Sequence, residues 1–208
     1  MKHPALLLLA TAIPASAAIT VDGNFADWLT VSTLVTDPAD AGANPESDFL
    51  VAKAASDSNN LYLYYQTSAT FDLNAIGWRF NVFLDTDQTP TTGFKLYGAS
   101  AGGFEFLFQG ATLYTFQGTD NTNEWNWGWS PTLPFGNAGN EAEFAIPLAS
   151  LGLSPGDSVD FILFGDNGTI DFVPDSYGSS VITYTLVPEP GTLALGGLGM
   201  LAMLRRRR

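Results

Sequence analysis

The stretch Glu124-Trp125-Asn126-Trp127-Gly128-Trp129 sets three indoles two residues apart. In an extended strand alternate side chains share a face, so Trp125, Trp127 and Trp129 would stand in a row about 7 Å apart. Such a row can stack on the apolar faces of sugar rings while nearby Asn, Asp and Glu side chains bind the hydroxyls. Trp78 is the next candidate for this platform. The same alternation also describes a half-buried strand with Asn126 and Gly128 outward and its tryptophans in the core. A second constellation is Asp85-Thr86-Asp87-Gln88-Thr89. Alternate side chains at a strand end could bring hard oxygen ligands, Asp85 and Asp87 among them, to a structural calcium ion. This is no EF-hand loop, because Pro90 and Leu96 stand where glycine and a bidentate glutamate are needed. An Asp-rich hairpin turn explains the residues equally well.

Missing residue types bound the chemistry further. The chain has no cysteine, its one histidine is His3, and its methionines are Met1, Met200 and Met203. Between the two ends there is therefore no Cys, His or Met. Disulfides, thiolate nucleophiles, His-based triads, the usual zinc sites and His/Met haem ligation are excluded. A hydrolase would have to use paired carboxylates. Glu105, Glu124, Glu141 and Glu143 lie in plausible strands or strand ends, but no spacing selects a pair. The expectation is a domain that is not an enzyme. Of 21 acidic and eight basic residues, Lys2 and the four terminal arginines fall in the end segments. Lys53, Arg79 and Lys95 then face all 21 acids, a net charge of −18 on the portion up to Pro190. That charge repels phosphates, so nucleic acid and anionic membrane surfaces are not the expected partners.

The elements that hold these residues lie between two terminal signals. Lys2 and His3 precede an apolar run over residues 5–13, and Ala15-Ser16-Ala17 supplies an A-x-A cleavage site. This pattern reads as a secretory signal peptide over residues 1–17, cut after Ala17. At the other end Val187-Pro188-Glu189-Pro190 leads into a short apolar run that stops at Arg205, Arg206, Arg207 and Arg208. The apolar run is shorter than the roughly 20 residues of a comfortable spanning helix, and the arginines would hold the C-terminus in the cytoplasm. These three parts, in order over residues 187–208, resemble the PEP-CTERM sorting signal. That resemblance implies a short membrane helix, a membrane exosortase that processes the chain near Pro-Glu-Pro, and a Gram-negative envelope, often with exopolysaccharide or biofilm matrix.

Residues 18–186 read as one all-β domain. The runs 61–65, 80–84, 104–108, 141–146, 159–164 and 181–187 are rich in aromatic and branched residues and bounded by Gly, Asn, Asp or Pro. Leu148–Leu151 alone suggests a helical turn. Several short strands with turn signals between them predict an antiparallel β-sandwich or jelly roll. The motifs Val21-Asp22-Gly23-Asn24-Phe25-Ala26-Asp27-Trp28, Asp57-Ser58-Asn59-Asn60-Leu61-Tyr62-Leu63, Phe83-Leu84-Asp85-Thr86-Asp87 with Thr92-Gly93, and Ala145-Ile146-Pro147-Leu148-Ala149-Ser150-Leu151-Gly152 occur in that order. Together they resemble the family 9 carbohydrate-binding modules and the wider DOMON-like sandwiches. The resemblance implies a sugar or haem ligand and frequent calcium, and the missing His and Met speak against haem. Each motif also has a plain reading: a turn that delivers Trp28 to the core, a loop entering a strand, a strand exit at Pro147, and a surface loop at Asn167-Gly168-Thr169 rather than a glycosylation acceptor. Three functions remain: a carbohydrate-binding domain held at the envelope or matrix, a structural matrix protein without a small ligand, and a carboxylate-based glycosidase.

Overall fold

Short runs of aromatic and branched residues, punctuated by turn formers, close into strands throughout the computed structural model, which describes residues 19–40, 44–96, 102–166, 170–175 and 179–187. The expected cleavage site at Ala15 and Ala17, the Pro188, Glu189 and Pro190 motif, the terminal arginines and the 167–169 acceptor lie outside the described residues. In chain order the strands are β1 (Val35–Thr36), β2 (Phe49–Ser56), β3 (Asn60–Thr67), β4 (Phe80–Asp85), β5 (Phe106–Gln109) and β6 (Thr112–Phe116). They continue with β7 (Trp127–Thr132), β8 (Phe135–Ala138), β9 (Glu141–Pro147), β10 (Ser158–Asp166), β11 (Ile170–Val173) and β12 (Ile182–Thr185).

One sheet has the order β1-β2-β3-β9-β8 and the other β11-β10-β4-β5-β6-β7, with antiparallel neighbours in both. The long β10 pairs with β12 along its first half and with β11 along its second, on the edge away from β4. The fold is an antiparallel β-sandwich.

Alternation explains the main core. Leu61, Leu63 and Tyr65 of β3 meet Phe80, Val82 and Leu84 of β4 and Phe161 and Leu163 of β10 between the sheets. Both outer faces are also covered, which is why all six residues of β4 are buried. On the outside of the second sheet, Phe83, Leu107, Ile162 and Phe164 pack under Phe94, Leu96 and Phe104 from the long β4–β5 connection. On the outside of the first sheet, Tyr62 and Tyr64 pack under Ile19 and Trp28 from the N-terminal segment.

That N-terminal segment is fixed by one carboxylate. Glu143 of β9, fully buried, accepts the N–H groups of Asp22 (2.9 Å) and Gly23 (2.7 Å) and the Trp28 indole N–H (2.8 Å). Gly136 of β8 permits the approach, since a Cβ there would lie 2.4 Å from the Gly23 nitrogen. The Asp22-Gly23-Asn24 turn thus delivers Trp28, 1 % exposed, into an outer core layer.

Helical structure is more frequent than the single turn expected at α2 (Leu148–Leu151). α1 (Leu73–Ile76) and 3-10 turns at Phe25–Thr30, Pro45–Ser47 and Gly77–Arg79 also form. Asn24 and Asp72 cap two of these through side-chain oxygens, a signal lost when only hydrophobic period is read. The strand expected from Phe104 starts at Phe106 instead, because Phe104 forms an isolated bridge with Phe94.

Candidate functional site: an aromatic face and an acidic loop

The outer face of the second sheet carries the indoles. Cross-strand register aligns Ile162, Phe83, Leu107, Tyr114 and Trp129 in one row over β10, β4, β5, β6 and β7. Phe116 pairs with Trp127 beside it. Trp127 and Trp129 therefore share a face, as their spacing requires. Trp125 does not belong to that row: β7 begins at Trp127, and Trp125 lies before it. It meets Trp127 edge-to-face at 5.9 Å between centroids, and Phe94 at 5.6 Å.

The indoles divide by burial. Trp127 is half-buried against Phe83, Phe94 and Phe116, and its Nε1–H is buried without an acceptor among the described residues. Trp129 is 72 % exposed and Trp125 55 %. The inward-facing alternative fails for these two, since this face looks away from the inter-sheet core. Leu107, Gln109, Tyr114, Trp125, Asn126 and Trp127 line an open cleft of about 370 Å³. Trp78, 53 % exposed, precedes β4 with the Arg79 guanidinium 5.0 Å over its ring. Its backbone carbonyl accepts from Gln109 Nε2 at 3.2 Å, so it borders the Gln109 end of the cleft through its main chain.

Beside this face the β4–β5 connection gathers acids. Asp85 ends β4 and Asp87 follows it, as the spacing suggested, but the third member, Glu105, arrives from the far end of the connection. One carboxylate oxygen from each lies within 4.8 Å of the others. Gly103 makes this closure possible, because a Cβ there would fall 1.9 Å from the Thr92 carbonyl oxygen. Glu105 Oε2 accepts the Thr86 N–H at 2.9 Å, and Asp87 accepts the Thr89 N–H at 2.8 Å. Asp85 Oδ1 and Glu105 Oε1 are buried with no hydrogen-bond partner among the described residues. Burial pushes the Glu105 carboxyl up to about 7; the Thr86 N–H opposes this, and the Asp87 and Asp85 charges add to it. Burial also raises Asp85. Orphaned oxygens in a converging carboxylate set fit a hard divalent cation. Sequence spacing missed Glu105 because only the loop closure brings it to Asp85.

The other glutamates considered for catalysis have separate local partners. Glu143 holds the N-terminal segment, Glu141 accepts from the Tyr64 hydroxyl, and Glu124 accepts the Thr119 N–H at 3.2 Å.

Residues 186–208 match the PEP-CTERM protein-sorting motif. The chain is accordingly an exported, exosortase-sorted protein whose tail anchors it transiently at the membrane, with a β-rich domain ahead of that tail. No curated protein matches the chain. Among the described residues no helix is long and apolar enough to cross a membrane.

Proposed function

We propose that the sandwich is a non-catalytic carbohydrate-binding domain which the sorting tail delivers to the envelope or extracellular matrix of a Gram-negative cell. The observation that carries this reading is the exposed Trp125 in a shallow cleft with Trp127, Tyr114, Gln109 and Asn126, and the exposed Trp129 paired with Tyr114 on the same sheet. Flat indoles take the apolar face of a pyranose ring, and amide side chains at the rim take its hydroxyls. The likeness to DOMON-like and family 9 carbohydrate-binding sandwiches points the same way. Asp85, Asp87 and Glu105 would hold a calcium ion, which pins the β4–β5 connection over the face that bears the indoles. The mature protein lacks residues 1–17 and the segment beyond about Pro190, and an exosortase is its processing partner.

A glycan array probed with the protein and with Trp125→Ala and Trp129→Ala tests the sugar reading. Binding lost in the variants with their melting midpoints unchanged supports it. A second reading, a matrix protein with no small ligand, draws on the packing of Trp125 and Trp127 against Phe83 and Phe94. It is favoured if no glycan binds and Trp125→Ala destabilises. For the processing, the intact mass of protein released by its host decides, and a mature form that retains Arg208 overturns it.

A further inference from the structure

We infer that the domain carries a second calcium site, formed by Asp37, Asp40 and Asp171 where an edge of one sheet meets an edge of the other. Asp37 follows β1, the edge strand of the first sheet, and Asp40 lies in the loop after it. Asp171 belongs to β11, the edge strand of the second. One carboxylate oxygen from each lies within 4.8 Å of the other two. Oxygens bound to one calcium ion at about 2.4 Å stand at most about 4.8 Å apart, so this spacing is compatible with a shared ion.

The arrangement is built, and one of its oxygens lacks a partner. Asp37 is only 9 % exposed, and its Oδ2 is buried with no hydrogen-bond partner among the described residues. That oxygen belongs to a carboxylate whose strongest charged neighbours are Asp171, Asp175, Asp40 and Asp48, all acids. Asp171, 3 % exposed, is oriented by the Phe49 N–H, which donates to its Oδ2 at 2.6 Å across the two sheets. Asp48 Oδ1 accepts the Asp40 N–H at 3.0 Å and so fixes the loop that presents Asp40. Of the three cations between the end segments, the Arg79 guanidinium pairs with Glu46 at 2.6 Å and the Lys53 ammonium donates to the Trp28 carbonyl at 2.9 Å. A buried carboxylate oxygen without a donor is costly unless a cation meets it. The donors are carboxylate oxygens only, a set that suits a hard cation such as calcium rather than zinc. An ion here would clamp β1 and β2 to β11 alongside the Phe49–Asp171 hydrogen bond.

This site shares no residue with the Asp85–Asp87–Glu105 cluster, so the two are separable by stoichiometry. The full chain is stripped with EGTA, checked for folding by circular dichroism and titrated with calcium chloride in equilibrium dialysis. Asp37→Ala, Asp40→Ala and Asp85→Ala are measured in parallel. Two ions are expected on the unaltered protein and one on each variant. Asp40 is exposed, so its replacement tests the site even if Asp37→Ala fails to fold. The proposal is overturned if Asp40→Ala still binds two ions, or if the unaltered protein binds a single ion that Asp85→Ala abolishes. A single ion lost in Asp40→Ala and kept in Asp85→Ala upholds this site and removes the other. No bound calcium at all overturns both.

Discussion

Glu143 shows what one buried charge does when its donors are supplied by the chain itself. Its three N–H partners come from residues more than a hundred positions upstream, so the carboxylate joins the N-terminal segment to β9. Removing it leaves three donors without this acceptor, two backbone N–H groups and the Trp28 indole. Glu143→Ala is expected to lower stability by about 3 kcal/mol, in the range for breaking a buried charged network. Trp28→Phe keeps most of the bulk and loses one donor, and is expected to cost about 1–2 kcal/mol. Urea midpoints of the two variants and their double combination check this, and strict additivity would show that the indole and the carboxylate do not act together. At this level the sequence was informative about neighbours and silent about distant partners. Asp57 beside Asn59 and Asn60 is readable as a turn, and its Oδ1 does accept both N–H groups at 2.8 and 2.7 Å. The Glu143 contacts and the Glu105 approach to Asp85 depend on tertiary closure, which no local spacing encodes.

Strands announced themselves where branched and aromatic residues alternate, as in β3, β4 and β10, and stayed hidden where they do not. β2 is alanine-rich, with Ala52 and Ala54 in the inter-sheet core and Ala55 in the outer layer with Tyr62 and Tyr64. β7 contains Pro131 and is an edge strand, the place in a sheet where a residue without a backbone N–H is accommodated. Its start at Trp127 rather than Trp125 breaks the expected three-indole stripe, and the break separates two roles. Trp127 is held by three aromatic rings, so Trp127→Ala is expected to cost about 2–3 kcal/mol through lost packing. Trp129→Ala removes a ring that is mostly in solvent and should change stability by less than about 0.5 kcal/mol. Thermal or urea unfolding of both variants measures the difference; equal losses would mean that Trp129 is packed like its neighbour.

For the whole molecule, the acidity apparent from composition becomes specific once folded, because among the described residues carboxylates converge at two places. With calcium the melting temperature should rise over that in chelator, by about 2–4 °C for each kcal/mol of ion binding in a domain of this size. Coincident melts in calcium and chelator would count against both sites. The alkaline side is governed by phenols in two packing layers, Tyr65 and Tyr184 between the sheets and Tyr62 and Tyr64 outside the first. Burial raises Tyr65 well above its usual range, and burial with the Glu141 hydrogen bond and charge raises Tyr64. Burial likewise raises Tyr62, joined by its bond to Asp57, and Tyr184, where Ser56 opposes it. In each case the folded state favours the neutral phenol more than the unfolded chain does. Their contribution is therefore complete below the ordinary tyrosine pKa near 10 and declines as pH rises from there through the folded-state values. The protein should unfold cooperatively above about pH 10, with phenolate absorbance appearing together with loss of the far-ultraviolet β signal. Tyr64→Phe removes one such phenol, so it should move that alkaline transition upward. Phenolate absorbance that develops in full while the β signal persists would show that these hydroxyls titrate inside the intact sandwich, and would remove burial as the cause of their shift.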